Sequence, residues 1–420
     1  MPEPQYFIGL DLGTSGARAV IIDAAAQPLA EAKAPMSHSA FAPNDPRAWW
    51  DVASIALGDV LGQIDRRFVA ALCVDGTSGT VVGVDHTLTP VTQAYMYNDP
   101  IDDPDILSRI NSVVPLNSAA RGANSGLARA LMLARQSPYK ILHQADWIAA
   151  LFTGKCISDA NNALKSGYDV HAGCWPQWIT NLGLDSTILP DVFEPGAIVG
   201  TLTEEAAKRF DLPLSCVVIA GTTDGCASFL ATGAQHSGDA VTALGSTLTI
   251  KLLSQTPICA PKYGVYSHRI LGKWLVGGAS NTGGAVLAAF FDTEVLAQLS
   301  MKIDPAQNHD LGYYPLLRPG ERFPVNDPDL LPRLTPRPKD DAAFLAGMFD
   351  AIAGIEKSCY DLLSRLGAPD VKCVYSVGGG ANNAIWTDIR RCKLNVPFHS
   401  PAHHEAAFGS ALLARIGATS

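Results

Sequence analysis

The chain has 420 residues, of which 47% are apolar and 17% are charged, and its formal net charge at pH 7 is −9. This length exceeds what one ordinary domain needs, so two domains are expected. The negative charge disfavours non-specific binding to nucleic acid, and the sequence has no run of about 18 apolar residues that would cross a membrane.

In its first half the sequence predicts a meander, a helix and further strands. The meander turns at Gly13-Thr14-Ser15-Gly16, and Asp45-Pro46 opens the helix because proline suits a first helical turn. A turn at Asp85-His86 joins a later pair of strands, and the middle region is predicted to be mostly helical, including 146–153. The expected strands are Tyr6–Leu12, Ala17–Asp23, Leu29–Lys33, Phe68–Val74, Thr80–Val84, Val91–Tyr97 and Val217–Ala220.

The same order of elements returns in the second half. A turn at Gly245-Ser246-Thr247 matches the first turn, and Gly378-Gly379-Gly380 opens a late helix. A proline-rich surface excursion is expected over 318–338. The expected strands are Ala240–Leu244, Leu248–Leu253, Val265–Ile270, Trp274–Val276 (ending at Gly277-Gly278) and Val371–Val377. A long helix is expected over Phe344–Leu363. The repetition predicts two α/β domains, 1–231 and 232–420, with a final helix over about 405–420 that packs back on the first.

The two matching turns are candidates for phosphate binding. Backbone N–H groups in such turns point outward, and glycine lets an anion approach closely. A plain β-hairpin is the alternative for each turn taken alone. The common phosphate loop G-x-x-x-x-G-K-[ST] and the dinucleotide motif G-x-G-x-x-G are both absent from the sequence.

Asp11 and Asp224 each stand where an apolar strand meets a turn rich in glycine and threonine. Carboxylates at strand ends project into the crevice where open α/β sheets bind ligands. One is a candidate general base toward a hydroxyl group, and the other is a candidate holder of hydrated magnesium. The alternatives are an N-cap for the helix beginning at Gly225 and a local turn bond at Asp11.

The glycines at 378–380 could let a flat ring or a ribose lie against the backbone, or could serve a tight strand–helix turn. Two polar clusters are interpreted as surface: His399, His403, His404 and Glu405, which lack the spacing of a metal site, and Arg390, Arg391 and Lys393, which predict a solvated helix face.

Nine cysteines without C-x-x-C spacing are expected to be reduced and buried. The start, MPEPQYFIGLDLG, lacks the basic segment and cleavage site of a signal peptide. A cytoplasmic protein is therefore expected.

Taken together, the motifs resemble those of the FGGY carbohydrate kinases. FIGLDLGTSGARAVIID resembles the family's opening phosphate motif, and AGTTDG resembles its loop with the catalytic aspartate. SPYKILHQADWIAALFTGKCISDANNALKSGYD is similar to its middle segment. Further matches, in order, are ALGSTLTI, GGASNTGGAV, YYPLLRPGERFP, and VGGGANNAIWTDIRRCKLNVPF with EAAFGSALLA. The resemblance spans nearly the whole chain.

The resemblance implies an α/β fold of two ribonuclease-H-like domains, of the actin and hexokinase type, flanking a central cleft. It also implies a kinase that uses ATP and Mg²⁺, with Asp224 as general base and Asp11 as a second catalytic residue that binds the metal through water. The implied ATP-binding residues are Gly13, Thr14, Ser15, Gly245, Ser246, Thr247, Gly283, Gly379, Gly380 and Asn383. The implied sugar-binding residues are Asp11, Ser15, Asp75, Thr77, Asn98, Asp99 and Asp224.

Two departures from the family pattern bear on the substrate and on assembly. The chain is shorter than most members, because the usual Gly-Leu-Thr segment after Pro336 is missing. In the family that region often supports oligomer contacts and effector sites, so the resemblance assigns neither to this chain. Xylulokinases carry Met-His where this chain has Asp75-Gly76-Thr77-Ser78, which is more similar to the compact D-ribulose kinases of cyanobacteria and plants.

The expected reaction is therefore phosphorylation of D-ribulose to D-ribulose 5-phosphate. D-xylulose or a polyol such as ribitol is the alternative substrate, and an actin- or chaperone-like ATPase is the alternative class of protein. The expected partner is the sugar alone, with no nucleic acid and no membrane, in a monomer or homodimer.

Overall fold

The computed structural model describes residues 5–419. Within that range no helix is both long and apolar enough to span a bilayer. The chain divides into two compact units. The first runs to Ala231 and also includes His268–Gly272 and the segment from His403 onward, and the second comprises Thr232–Ser267 and Lys273–Ala402.

As far as Ala231 the chain alternates strands and helices. Its strands are β1 (Tyr6–Gly13), β2 (Gly16–Asp23), β3 (Pro28–Pro35), β4 (Val69–Gly76), β5 (Val81–Val84), β6 (Lys140–His143), β7 (Ile157–Asp159), β8 (Asp191–Phe193), β9 (Ile198–Thr201) and β10 (Val217–Thr223). Its α-helices are α1 (Pro46–Leu61), α2 (Pro104–Val113), α3 (Gly126–Ala134), α4 (Gln144–Thr153), α5 (Ala160–Lys165), α6 (Trp178–Asn181), α7 (Glu204–Phe210) and α8 (Asp224–Ala231).

The rest of the chain has fewer and longer elements. Its strands are β11 (Asp239–Leu244), β12 (Leu248–Ser254), β13 (Tyr266–Ile270), β14 (Lys273–Ser280), β15 (Cys373–Val377) and β16 (Phe398–His399). Its helices are α9 (Gly284–Ala288), α10 (Thr293–Ser300), α11 (Asp341–Arg365), α12 (Ala384–Leu394) and α13 (Ala406–Thr419). Short 3₁₀ helices occur at Met36–His38, Arg66–Phe68, Ser186–Ile188, Pro261–Tyr263 and Gly379–Asn382.

The repeat expected from the sequence is present in two six-stranded sheets. Their strand orders are β3-β2-β1-β4-β10-β9 and β13-β14-β12-β11-β15-β16. In the first sheet the hairpin β1–β2 continues into β3, and β1 runs parallel to β4. In the second the hairpin β11–β12 continues into β14, and β11 runs parallel to β15. The two glycine- and threonine-rich turns therefore join equivalent strands.

Helix α13 lies directly on the backbone of the first sheet. Ile8, Leu10 and Leu12 of β1 share a core with α1, so the alternate residue Gly9 faces away from that core. A β-carbon on Gly9 would lie 1.9 Å from the backbone oxygen of Ala407 in α13. Only glycine allows this approach, which brings α13 close to the ends of β1 and β4.

One expected strand is absent. The segment 91–97 forms no strand. Isolated bridges join Val81 to Tyr95 and Val84 to the preceding Pro90, and the N–H of Val91 donates to the oxygen of Gly83 at 2.9 Å. Proline has no N–H to give to a ladder, and the N–H of Gly83 donates to Oγ1 of Thr92 at 2.9 Å instead of to a backbone oxygen. Strand β5 takes β6 as its antiparallel partner.

Two other expectations fail in the second unit. Strand β14 does not end at Gly277-Gly278 but continues to Ser280, because a bare glycine backbone lets it pair closely with β12. The proline-rich stretch 318–338 is not a plain surface excursion. Phe323 is fully buried, and Glu321 accepts hydrogen bonds from the hydroxyl of Ser280 at 2.6 Å and the N–H of Asn281 at 2.7 Å.

The nine cysteines are free thiols, as expected. They are not all buried, however, because Cys174, Cys259 and Cys392 are exposed.

Candidate active site

Three aspartates lie at the carboxyl ends of adjacent strands in the first unit. Strands β1, β4 and β10 are neighbours, and Asp11 stands opposite Asp75 in the register of β1 and β4. Asp224 directly follows β10 and begins α8. Asp11 is 4% exposed and Asp75 is 0% exposed, whereas Asp224 is half-buried. Carboxyl ends of parallel strands are where open α/β sheets bind ligands.

Helix α13 and strand β2 hold the two buried carboxyl groups. The hydroxyl of Ser410 in α13 donates to Oδ2 of Asp75 at 2.5 Å. Arg18 in β2 donates through Nη1 to Oδ2 of Asp11 at 3.2 Å, and its Nε lies 3.1 Å from Glu405. The two carboxyl groups are therefore fixed from opposite sides.

The pKa values of the buried carboxyl groups of Asp11 and Asp75 are both raised. Burial raises the pKa of Asp11, against a hydrogen bond from Asp75 and the positive charge of Arg18. Burial also raises the pKa of Asp75, and the charge of Asp11 raises it further. Simultaneous ionisation of both groups is therefore disfavoured, and Oδ1 of Asp75 is buried without a hydrogen-bond partner among the described residues.

Asp224 differs from this pair because it is accessible. Its Oδ1 accepts the N–H of Gly225 at 2.7 Å within the first turn of α8. This local contact leaves the half-buried carboxylate at the edge of the sheet. Such a contact holds a carboxylate in one orientation, which a general base also requires.

The expected sugar-binding residues separate into accessible and buried ones. Ser15 and Asn98 are exposed, and Asp99 is half-buried with its Oδ2 accepting the N–H of Met96 at 2.8 Å. Thr77 is buried, and both its N–H and its hydroxyl donate to Oε1 of Gln144, at 3.0 and 2.7 Å. Asp75 and Thr77 thus have protein partners of their own.

A cavity of about 440 Å³ in the second unit collects most of the expected nucleotide-binding residues of that unit. Its lining comprises Leu244, Gly245, Ser246, Gly284, Ala285, Leu287, Ala288, Phe291, Thr293, Leu296, Gly379, Gly380, Asn383 and Trp386. Gly283 lies beside the cavity, where a β-carbon would be 2.7 Å from the carbonyl carbon of Thr247. Gly13, Thr14 and Ser15 belong to the first unit, where Thr14 and Ser15 are exposed in the turn between β1 and β2.

Asn383 supports the cavity wall. Its Oδ1 accepts the N–H of Trp386 at 3.0 Å, which caps α12, and its Nδ2 donates to the hydroxyl of Ser300 at 2.8 Å. The indole of Trp386 is stacked on Phe349 with ring centroids 5.0 Å apart. These contacts fix the orientation of Asn383 and of the indole beside it.

The expectation of a solvated face at Arg390 is wrong. Arg390 is fully buried and donates to Glu356 through Nε at 2.6 Å and through Nη2 at 2.8 Å. Glu356 also accepts the hydroxyl of Thr242, and Nη1 of Arg390 donates to Ser376. This network ties α11 and α12 to β11 and β15 behind the wall formed by Trp386.

Residues 5–419 contain no group of three or more His, Cys, Asp or Glu side chains arranged to hold a metal ion. Two members of the cluster His399, His403, His404 and Glu405 form ion pairs, and surface residues commonly do so. His403 lies 2.9 Å from Glu31, and Glu405 lies 2.6 Å from Lys33.

Sequence reasoning missed Ser410, Gln144 and Arg18 as supports of the site. Ser410 lies within EAAFGSALLA, a segment noted for its resemblance, but its contact with Asp75 joins residues 335 positions apart. No local pattern signals such a contact. Gln144 begins α4, and only its buried position identifies it.

Comparison with known proteins identifies this architecture. Residues 240–418 match the C-terminal domain of the FGGY family of carbohydrate kinases. A xylulose kinase from Streptomyces coelicolor is 26% identical over 434 residues, covering 97% of this chain and 87% of the relative. A xylulose kinase from Escherichia coli is 25% identical over 448 residues, covering 98% and 90%. The crystal structure of a xylulose kinase from Brucella ovis superposes with a TM-score of 0.87 at 22% identity, covering 99% and 91%.

The fold is therefore the two-domain α/β fold of the actin and hexokinase type, as it occurs in sugar kinases. Residues 240–418 therefore match the C-terminal domain of the FGGY family of carbohydrate kinases, and the chain is a carbohydrate kinase. Kinases of this family use ATP as phosphate donor. The narrower likeness to D-ribulose kinases finds no support in these relatives, which are xylulose kinases.

Proposed function

We propose that this kinase transfers the γ-phosphoryl group of ATP to a hydroxyl group of a ketopentose, with D-xylulose as the preferred acceptor. The observation that carries the proposal is the set of three aspartates at adjacent strand ends, in which one carboxylate is accessible and two are buried. The names of the relatives support the choice of a ketopentose.

Asp224 is the proposed general base. Its half-buried carboxylate is oriented by the N–H of Gly225 and takes the proton of the attacking hydroxyl. An ordinary carboxylate pKa suffices, since the alcohol loses its proton late in a loose transition state. The exposed hydroxyl of Ser15 and the turn around it are proposed to face the transferred phosphoryl group.

Asp11 is the proposed partner of magnesium. Mg²⁺ is usually held by one or two carboxylates together with water and substrate phosphates, so a larger protein cluster is not needed. Asp11 fits this role because its carboxyl group stands near the end of β1, opposite Asp75 in the register of β1 and β4. When bound, the metal neutralises charge on the phosphates.

The cavity of the second unit is the proposed site of adenosine. Its apolar wall suits a flat base, and Gly379 leaves space for it because a β-carbon there would meet no atom within 4 Å. Gly245, Ser246, Thr247 and Gly283 are proposed to bind the phosphates. Their turn is anchored by the N–H of Gly284, which donates to the oxygen of Gly245 at 2.8 Å.

The preference for D-xylulose replaces the expectation of D-ribulose. That expectation depended on Asp75-Gly76-Thr77-Ser78 standing where xylulokinases carry Met-His, and the relatives found are nevertheless xylulose kinases. The side chains of Asp75 and Thr77 are also buried with protein partners. Asn98 and Asp99 remain as contacts for sugar hydroxyls. Free thiols throughout the described chain suit the proposed cytoplasmic location.

The deciding experiment measures ADP release and kcat/KM with D-xylulose, D-ribulose, L-ribulose, ribitol and glycerol. We expect D-xylulose to give the highest kcat/KM. A higher value for D-ribulose would restore the first substrate expectation within the same reaction. ATP hydrolysis that no sugar stimulates would instead favour an actin- or chaperone-like ATPase.

A further inference from the structure

The first unit contains a fully buried arginine that none of the steps above uses. Arg129 in α3 is 1% exposed. Among residues 5–419 it has no carboxylate partner in an ion pair, and burial lowers its pKa. A buried cation is costly unless hydrogen bonds compensate for its lost hydration, so the partners of this guanidinium matter.

All three side-chain hydrogen bonds of Arg129 go to backbone oxygens in two loops. Nη1 donates to the oxygen of Gly79 at 3.0 Å. Nε donates to the oxygen of Asp99 at 3.0 Å, and Nη2 donates to that of Tyr97 at 2.5 Å. The guanidinium therefore joins loop 77–80 to loop 96–99.

One of these loops carries the proposed contacts for the sugar, and the other carries a buried polar atom without a partner. Loop 96–99 contains Asn98 and Asp99. Loop 77–80 contains Ser78, whose hydroxyl oxygen is buried and has no partner among the described residues. The loops also meet where Oγ1 of Thr80 accepts the N–H of Tyr97 at 3.0 Å. Arg129 supplies the other connection.

We propose that Arg129 is a positioning residue for sugar recognition, which holds the two loops in the arrangement that presents Asn98 and Asp99 to the sugar hydroxyls. The inference rests on the proposed function. A guanidinium suits this role because its planar fork donates in fixed directions to three oxygens at once, whereas the compact ammonium of lysine cannot reach all three. Without the fork, the spacing of the loops would depend on the contact from Thr80 to Tyr97 and on the neighbouring backbone bridge between Val81 and Tyr95.

The test compares Arg129→Met and Arg129→Lys with the unaltered enzyme, using the ketopentose that gives the highest kcat/KM. The KM for that sugar should rise roughly tenfold to a hundredfold in Arg129→Met, the scale of a small misplacement of binding groups, and less in Arg129→Lys. The KM for ATP should stay unchanged, because the adenosine cavity lies in the second unit. Thermal unfolding reports whether each variant is folded.

Arg66→Lys is the matched control. Arg66 also donates to two backbone oxygens in the first unit, that of Leu61 at 3.2 Å and that of Phe210 at 3.1 Å, but it does not contact either loop. Its sugar KM should match that of the unaltered enzyme.

An unchanged sugar KM in folded Arg129→Met would overturn the inference, as would equal increases in Arg129→Lys and Arg66→Lys. If Arg129→Met does not fold, the sugar KM of Arg129→Lys decides by the same criterion. An unaltered enzyme that releases no ADP with any sugar would overturn the proposed function instead.

Discussion

Replacing Gly379 by valine tests the nucleotide cavity while sparing the fold. A β-carbon at Gly379 meets no atom within 4 Å, whereas one at Gly380 would lie 2.6 Å from Cζ3 of Trp386. The valine side chain would therefore enter the cavity of about 440 Å³ and occupy space proposed for adenosine. Overfilling a packed site costs about 1–3 kcal/mol, which corresponds to a roughly 5-fold to 150-fold loss of ATP affinity.

Isothermal titration calorimetry with ATP measures this loss, and titration with the sugar gives the internal control. Gly379→Val should keep its sugar affinity and its unfolding temperature. Gly380→Ala should lower the unfolding temperature, because its methyl group would press on Trp386. Unchanged ATP affinity in a folded Gly379→Val variant would show that adenosine binds elsewhere.

Four further outcomes are expected. Asp224→Asn should lower kcat by about two to four orders of magnitude with ATP affinity unchanged, and near-normal turnover would rule it out as the base. Arg390→Met should destabilise the second unit by about 3–5 kcal/mol in urea unfolding, since Glu356 would be left buried and unpaired. GTP should support turnover within about tenfold of ATP, because the cavity wall is mainly apolar and few polar side chains line it to select the base. Burial raises the pKa of Asp159 from 3.8 to about 6. The protonated carboxyl group therefore makes its full contribution to the free energy of unfolding below about pH 4, and that contribution is lost as the pH rises through about 6. Asp159→Asn should flatten this part of the plot of unfolding free energy, measured in urea, against pH.

Local sequence signals predicted the elements that depend on neighbouring residues. Asp45 caps α1 by accepting the N–H of Arg47 at 2.9 Å, and the proline after it occupies the first turn, as expected. The two meanders were also predictable, because their strands are joined by short turns. The irregular structure of segment 91–97 was not predictable, because its apolar residues resemble those of a strand. The strand that pairs with β5 is β6, which lies much later in the sequence.

The site was predictable only where one residue type identifies the chemistry. Asp11 and Asp224 follow apolar strands, so their place at strand ends could be inferred. Arg390 could not be assigned, because its partner Glu356 lies on another helix and the polar spacing of α12 resembles a surface face. The buried state of Asp75 and Thr77 likewise depends on Ser410 and Gln144, which are remote in the sequence.

Because α13 belongs to the first unit, that unit can be completed only after the second unit has been synthesised. The ribosome makes this helix only after the whole second unit, yet β1 has a bare glycine backbone shaped to receive it. A nascent chain that has reached Ala231 therefore exposes an uncovered sheet face and lacks the hydroxyl that holds Asp75. The first unit therefore stays incomplete until α13 has been translated. During that time, chaperones that bind exposed apolar surface would protect it. For the same reason, a fragment ending at Ala231 should not fold into a native first unit.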